Sequence, residues 1–281
     1  MNAGLEYANG KNANIDSGMW MHHMVMFAVG PGRVDATCGN NKASLPHMLI
    51  GSGGVGNERM FSSGNERTPA LVPQWSGLTN VGYHPKATDK LAFIVDLMNE
   101  NMEDKIAYLT MTFDYVPGDG AGFDDMRPVW FDAAQCSTSE VKAPKQSGAF
   151  MVAAKAWTAN FEGEVVGSAG HMHDGGDHLT LDVSGTGVVC DSVASYGGSA
   201  EYTSKAMGHA HSATAHISKM SICMGNALKV KQLNKGQVWT LKAYYDYNKN
   251  KGMLHGDGKQ ATVMGIAIMY VRVRAGQTFG P

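Results

Sequence analysis

Short apolar runs, each closed by a glycine-, asparagine- or aspartate-bearing turn, set the terms for what this chain can fold into. Aromatic and β-branched residues carry the runs, with Gly at 35 of 281 positions and Pro at only 9. Several runs alternate apolar with polar residues, the period-two signature of a half-buried antiparallel strand. In the first half, strands are expected at Trp20–Val29, Leu91–Leu97 and Ala107–Tyr115. In the second they are expected at Gly148–Trp157, Phe161–His173, His178–Val183, Gly187–Val193, Ser218–Met224, Val238–Tyr247 and Thr262–Val273. Many short strands between turns make sandwiches, not a helical bundle. The polar stretch Ser137–Ser147 (STSEVKAPKQS) contains Pro144 and reads as a linker. The expected fold is therefore all-β, with two tandem antiparallel β-sandwich, jelly-roll-like domains at residues 1–143 and 144–281.

Charge excludes some partners. Formal net charge is −2, charged residues make up 17%, and no block of like charges occurs. Neither nucleic acid nor an anionic membrane surface is expected as the partner. No apolar stretch reaches the ~18 residues that a spanning helix needs. The first twenty residues (MNAGLEYANGKNANIDSGMW) have neither the basic start nor the apolar core of a secretory leader. That feature does not make the chain cytosolic. Gly51–Gly56 (GSGGVG) has no GK[ST] and no following helical pattern, so it reads as a surface loop and not a phosphate loop. Asp119–Asp125 lacks the spacing of a dedicated calcium loop and reads as solvated turn carboxylates.

Cys38, Cys136, Cys190 and Cys223 form no close metal-binding pair. Two in each half suit one disulfide per half, Cys38–Cys136 and Cys190–Cys223, although four cysteines allow three connectivities.

Histidine spacing carries the chemistry. In GHMHDGG, His171 and His173 stand at i and i+2 of a strand, which turns both imidazoles to one face. Such a pair can hold a metal, or it can be merely exposed or hydrogen-bonded. His178, beyond the DGG turn, could return toward the same area. In the run Met21–Phe27, His22 and His23 are adjacent and point to opposite faces of a regular strand. Both reach one ion only where the backbone twists or bulges. His209 and His211, with His216 beyond, lie in a small-residue polar stretch that reads as loop. Thioether sulfur beside imidazole selects copper, above all Cu(I), over harder ions. The chain has 19 Met, one of them Met264 in the last apolar run, ATVMGIAIMYVRV. A methionine in such a run is ordinarily core packing.

Three landmarks together resemble the copper type II, ascorbate-dependent monooxygenases, the family of peptidylglycine α-hydroxylating monooxygenase and dopamine β-monooxygenase. They are an HHM strand (His22, His23, Met24), an HxH strand (His171, His173) and a final strand running from Met264 to Tyr270. After residue 145 the pattern is closer to plant stress up-regulated nodulin-like proteins and secreted fungal relatives, through GHMHDGG, Cys190, Cys223 and the VMG at 263–265.

The resemblance implies two β-sandwich domains, each with one copper, separated by an open cleft. It implies a second-domain copper on His171, His173 and Met264 that binds oxygen and carries catalysis, and a first-domain copper on His22 and His23. One or two copper ions are thus expected, with ascorbate or a similar external reductant. The third first-domain ligand falls on Asp96, a harder donor, with His84 or His47 as substitutes away from the motif position. Where the amidating enzymes anchor a substrate carboxylate, this chain has Ala169, Ile266 and Ile268. Peptide amidation is therefore not expected, and the small-molecule substrate is neutral or apolar. The leading expectation is C–H hydroxylation by a secreted enzyme, and the alternative is a secreted, non-catalytic copper-binding or stress protein.

Overall fold

The computed structural model describes residues 1–39, 56–204, 215–254 and 258–274. The first half holds β1 (Asn2–Tyr7), β2 (Met19–Gly30), β3 (Gly56–Gly64), β4 (Val81–Gly82), β5 (Lys90–Asn99), β6 (Ala107–Thr112), β7 (Asp124–Asp132) and β8 (Glu140–Val141). Then come β9 (Ala149–Ala153), β10 (Trp157–Thr158), β11 (Gly163–Met172), β12 (Gly176–Val183) and β13 (Gly187–Tyr196). The last five are β14 (Ile217–Met220), β15 (Ile222–Cys223), β16 (Gln232–Leu233), β17 (Val238–Asp246) and β18 (Val263–Val273). Among the described residues the one α-helical turn is α1 (Val72–Ser76). The fold is all-β, as the turn-punctuated sequence predicts.

A six-stranded sheet, β10-β17-β12-β13-β14 with β9 also on β17, faces a seven-stranded sheet, β15-β11-β18-β7-β4 with β16 on β11 and β8 on β18. In the N-terminal part, β3-β2-β5 form a three-stranded sheet and β1-β6 a two-stranded one. β7 and β8 come from the first half yet pair with β18. The boundary expected at 143/144 therefore does not coincide with a boundary between sheets.

β18 explains the arrangement. Ala267, Met269, Val271 and Val273 join one apolar cluster with Leu179, Leu181, Trp239 and Leu241 of the six-stranded sheet. Met264, Ile266, Ile268 and Tyr270, on the opposite face, join a second cluster with Met24, Met26 and Phe61 of β2 and β3. A strand covered on both faces needs no polar alternation, which is why VMGIAIMYV is continuously apolar. The seven-stranded sheet is thus a shared middle layer, and it brings the β2 histidines against the end of β11.

Two further ties hold the layers. Arg59 of β3 donates to Asp35 Oδ2 at 2.6 Å and Asp132 Oδ2 at 3.0 Å, with its guanidinium 4.9 Å from the centroid of the Trp130 ring. Cys38 is bonded to Cys136 and Cys190 to Cys223, the within-half pairs; the second joins β13 of one sheet to β15 of the other.

Candidate metal centre

β2 meets the condition that the sequence set for His22 and His23. Against β5, Met21 pairs with Leu97 and His23 with Asp96, so two residues of β2 span one step of its partner. This is a β-bulge, and it re-aims side chains that regular pleating would send apart. On the other side His23 is opposite Gly64 of β3. His171 and His173 stand at the end of β11, where His171 is opposite Ile266 and Met172 opposite Gly265.

These strands bring four imidazoles together. The His22 and His173 ring centroids are 4.2 Å apart, His22 and His23 5.0 Å, His23 and His173 5.9 Å. His171 lies 6.0 Å from His173 and 6.4 Å from His23. Ligand-capable atoms of His22, His23 and His173 all lie within 4.8 Å of one another. The resemblance implied two centres divided by a cleft; here one compact constellation draws on both halves of the chain. All four residues are at most 9% exposed.

Each of three rings is anchored through Nδ1. His22 Nδ1 is 2.8 Å from Asp96 Oδ2, His171 Nδ1 is 2.9 Å from Glu66 Oε1, and His173 Nδ1 is 2.9 Å from the Thr262 carbonyl. The Nε2 atoms of His22, His171 and His173 are buried with no hydrogen-bond partner. A carbonyl can only accept, so His173 Nδ1 carries the proton and its Nε2 presents a bare lone pair. Burial, then the neighbouring His22 and His171, holds the His173 pKa well below the usual histidine value, so the ring is neutral and ready to ligate. Metal-binding histidines are typically held this way, one nitrogen on an oxygen acceptor and the other on the ion. The donor set therefore fits a metal, and an all-imidazole set suits copper or zinc.

Asp96 takes an outer role in this geometry. Its Oδ2 faces His22 Nδ1, and that bond, more than any other influence, draws its pKa below the ordinary carboxylate value. Met264 is 1% exposed and belongs to the apolar cluster that contains Met21 and Met24, the residues flanking the β2 histidines. Extending the β11–β18 register by one step sets Met264 opposite His173. His178 is elsewhere: its ring stacks on Tyr244 at 4.4 Å and bonds Asp177. His84 is more than half exposed, 3.9 Å from Asp125. His47, His209 and His211 lie outside the described residues.

Sequence reasoning missed Glu66, Thr262 and Asp174. Asp174 Oδ2 is 2.6 Å from Nδ1 of the buried His216, whose ring lies 5.4 Å from Trp20. Gly64 was also missed: a Cβ there would stand 2.3 Å from His171 Cε1 and 2.5 Å from Glu66 Oε2. Only the absent side chain lets β3 approach the His171–Glu66 pair.

No family model matches the chain. It is 29% identical over 271 residues to "Probable copper-dependent oxygenase clz3" of Cochliobolus lunatus, covering 96% of this chain and 78% of that protein. It is 29% identical, again over 96% of its length, to "Probable copper-dependent oxygenase M1" of a Phoma species, and spans 62% of that relative. A solved structure of infectious bursal disease virus (Gx strain) covers 99% of this chain and 70% of its own, at 10% identity and a TM-score of 0.24, which carries no argument. Along nearly its whole length, then, this chain with its buried imidazole cluster is similar to proteins named as copper-dependent oxygenases.

Proposed function

We propose that the protein is a secreted copper-dependent oxygenase that hydroxylates a C–H bond of a neutral or apolar small molecule, with molecular oxygen and an external reductant such as ascorbate. The observation that carries this reading is the convergence of His22, His23 and His173, with ligand atoms within 4.8 Å. In this reading those three residues are the imidazole ligands of copper, and His171 and Met264 stand beside them. Copper would supply one-electron chemistry with oxygen, which no side chain of the site can provide.

The chain's own residues do the rest. Asp96, Glu66 and the Thr262 carbonyl hold three rings in orientation through Nδ1, leaving each Nε2 without a hydrogen-bond partner. Burial keeps bulk water from competing for those nitrogens. Two disulfides suit an oxidising compartment. The neutral residues at Ala169, Ile266 and Ile268 offer no ionic anchor for a charged substrate.

Burial also favours a second reading, copper binding without turnover, because His171 and His173 are only 3% and 4% exposed. Oxygen consumption by copper-loaded protein, measured across a panel of neutral and apolar substrates, separates the two. Reductant-dependent uptake matched by hydroxylated product supports the oxygenase. Tight copper binding with no uptake on any substrate supports the binder and defeats the oxygenase reading.

A further inference from the structure

A second polar arrangement touches the same residues from behind. Tyr245, on β17, is 1% exposed, and its ring stacks on Phe150 with centroids 5.2 Å apart and planes 3° from parallel. Its hydroxyl accepts from the His173 N–H at 3.3 Å and from the Met264 N–H at 3.3 Å, and donates to the Met264 carbonyl. One donor and two acceptor sites are all that a phenol has.

The location matters more than the number of bonds. The paired register of β11 with β18 stops at Met172 and Gly265, one step short of His173 and Met264. There the phenol oxygen replaces the ladder and ties the two backbones to one atom. The other side of His173 is fixed separately. Its ring is on the Thr262 carbonyl, and the Tyr196 hydroxyl accepts from Gly175 N–H at 3.0 Å and donates to the Gly176 carbonyl at 2.7 Å. Tyr196 thus clamps the turn after His173 in the same way as Tyr245 but makes no bond to Met264.

We infer that Tyr245 is a positioning residue: its hydroxyl closes the β11–β18 ladder where pairing ends and sets the Met264 thioether against the His173 imidazole, favouring copper(I) over copper(II). The inference rests on the copper reading and adds Met264 to its ligands. A thioether is a soft donor that stabilises Cu(I) more than Cu(II). Loosening Met264 should therefore change the ratio of the two affinities, whereas general loosening of the fold lowers both alike.

The test is competition titration of Cu(I) and of Cu(II) against chelators, on wild type, Tyr245→Phe, Met264→Leu, Tyr196→Phe and the Tyr245→Phe/Met264→Leu double variant. Met264→Leu and Tyr245→Phe should each lower the Cu(I):Cu(II) affinity ratio about tenfold, the lower end of effects seen for residues that orient metal ligands. The double variant should fall no further than Met264→Leu, and Tyr196→Phe should keep the wild-type ratio. A wild-type ratio in Tyr245→Phe beside a lowered ratio in Met264→Leu overturns the inference and leaves the copper reading standing. An unchanged ratio in Met264→Leu removes the thioether from the centre, and the inference falls with it. Amide exchange on the wild type needs no variant to fold: the His173 and Met264 N–H groups should exchange as slowly as the interior of β18. Fast exchange at both would show that the clamp is absent.

Discussion

Gly64→Ala is the substitution whose cost follows most directly from geometry. The new Cβ would stand 2.3 Å from His171 Cε1, 2.7 Å from its Nδ1 and 2.5 Å from Glu66 Oε2. Carbon atoms in contact need about 3.5 Å, so the imidazole must retreat by about 1.2 Å or the end of β3 must lift. A shift of that size takes the 2.9 Å bond between His171 Nδ1 and Glu66 out of hydrogen-bonding range. The side chains of His171 and Glu66 are 4% and 1% exposed, so water cannot replace the lost partner. Leaving a buried polar group unsatisfied costs about 1–3 kcal/mol, and overpacking costs a similar amount; together about 2–6 kcal/mol is expected. For a domain of this size that corresponds to a Tm lower by at least about 4 °C. Calorimetry of the metal-free protein measures it. Gly82→Ala is the control, because its Cβ would meet nothing nearer than Phe123 Cδ1 at 3.9 Å. If Gly64→Ala melts with wild type and the control, the described packing of β3 against His171 is wrong.

Other consequences follow from the same contacts. Asp96→Ala should weaken copper binding about 10–100-fold by freeing the His22 ring, while Asp96→Asn, which keeps a carbonyl acceptor, should recover most of it; equal affinities in titration would remove Asp96 from this role. The pH dependence of metal-free stability should show two histidines of opposite sign. His173, with its folded pKa depressed by burial and then by His22 and His171, contributes stability above the unfolded value of about 6.5 that is lost as pH falls below it. His216 has a raised folded pKa: burial alone would lower it most, but the Asp174 hydrogen bond and the Asp174 charge together outweigh burial, so its contribution is complete below about 6.5 and lost as pH rises through the folded value. Urea unfolding across pH should therefore lose its acid-side slope in His173→Gln and its alkaline-side slope in His216→Gln; unchanged slopes would contradict both assignments. Replacing Cys190 and Cys223 by Ala removes a link spanning 33 residues between two sheets and should cost about 3–4 kcal/mol in the chain-entropy estimate. A loss below about 1 kcal/mol in denaturant unfolding would show that the link does not constrain the unfolded chain as that estimate assumes.

Local pattern made much of this legible. Apolar runs, some alternating and some continuous, located β2, β5, β12, β17 and β18, and the adjacent His22 and His23 required a bulge to reach one ion, which β2 makes against β5. The residues that went unread break local rules for non-local reasons. β3 (GNERMFSSG) carries Glu58 and Arg59, charges that interrupt any apolar run; both are buried, and Arg59 is held by Asp35 and Asp132 from elsewhere in the chain. β7 (DDMRPVWFD) contains Pro128, ordinarily a mark against a strand inside a sheet, yet it pairs along β18. The union of His22 and His23 with His173 depends on the middle sheet sharing both cores. Spacing along the chain carries no trace of it. The outer-sphere partners were equally hidden, because Glu66 and Thr262 become meaningful only beside rings far away in sequence.

Copper content of wild type beside His22→Ala and His173→Ala, with each variant checked for a native melt, bears most directly on whether one centre is built by both halves. Each substitution, on opposite halves, should remove the same bound copper and abolish the same Cu(II) spectroscopic signal. Two coppers in the wild type, with each variant losing one and retaining the other's unaltered signal, would mean separate sites and would contradict the account.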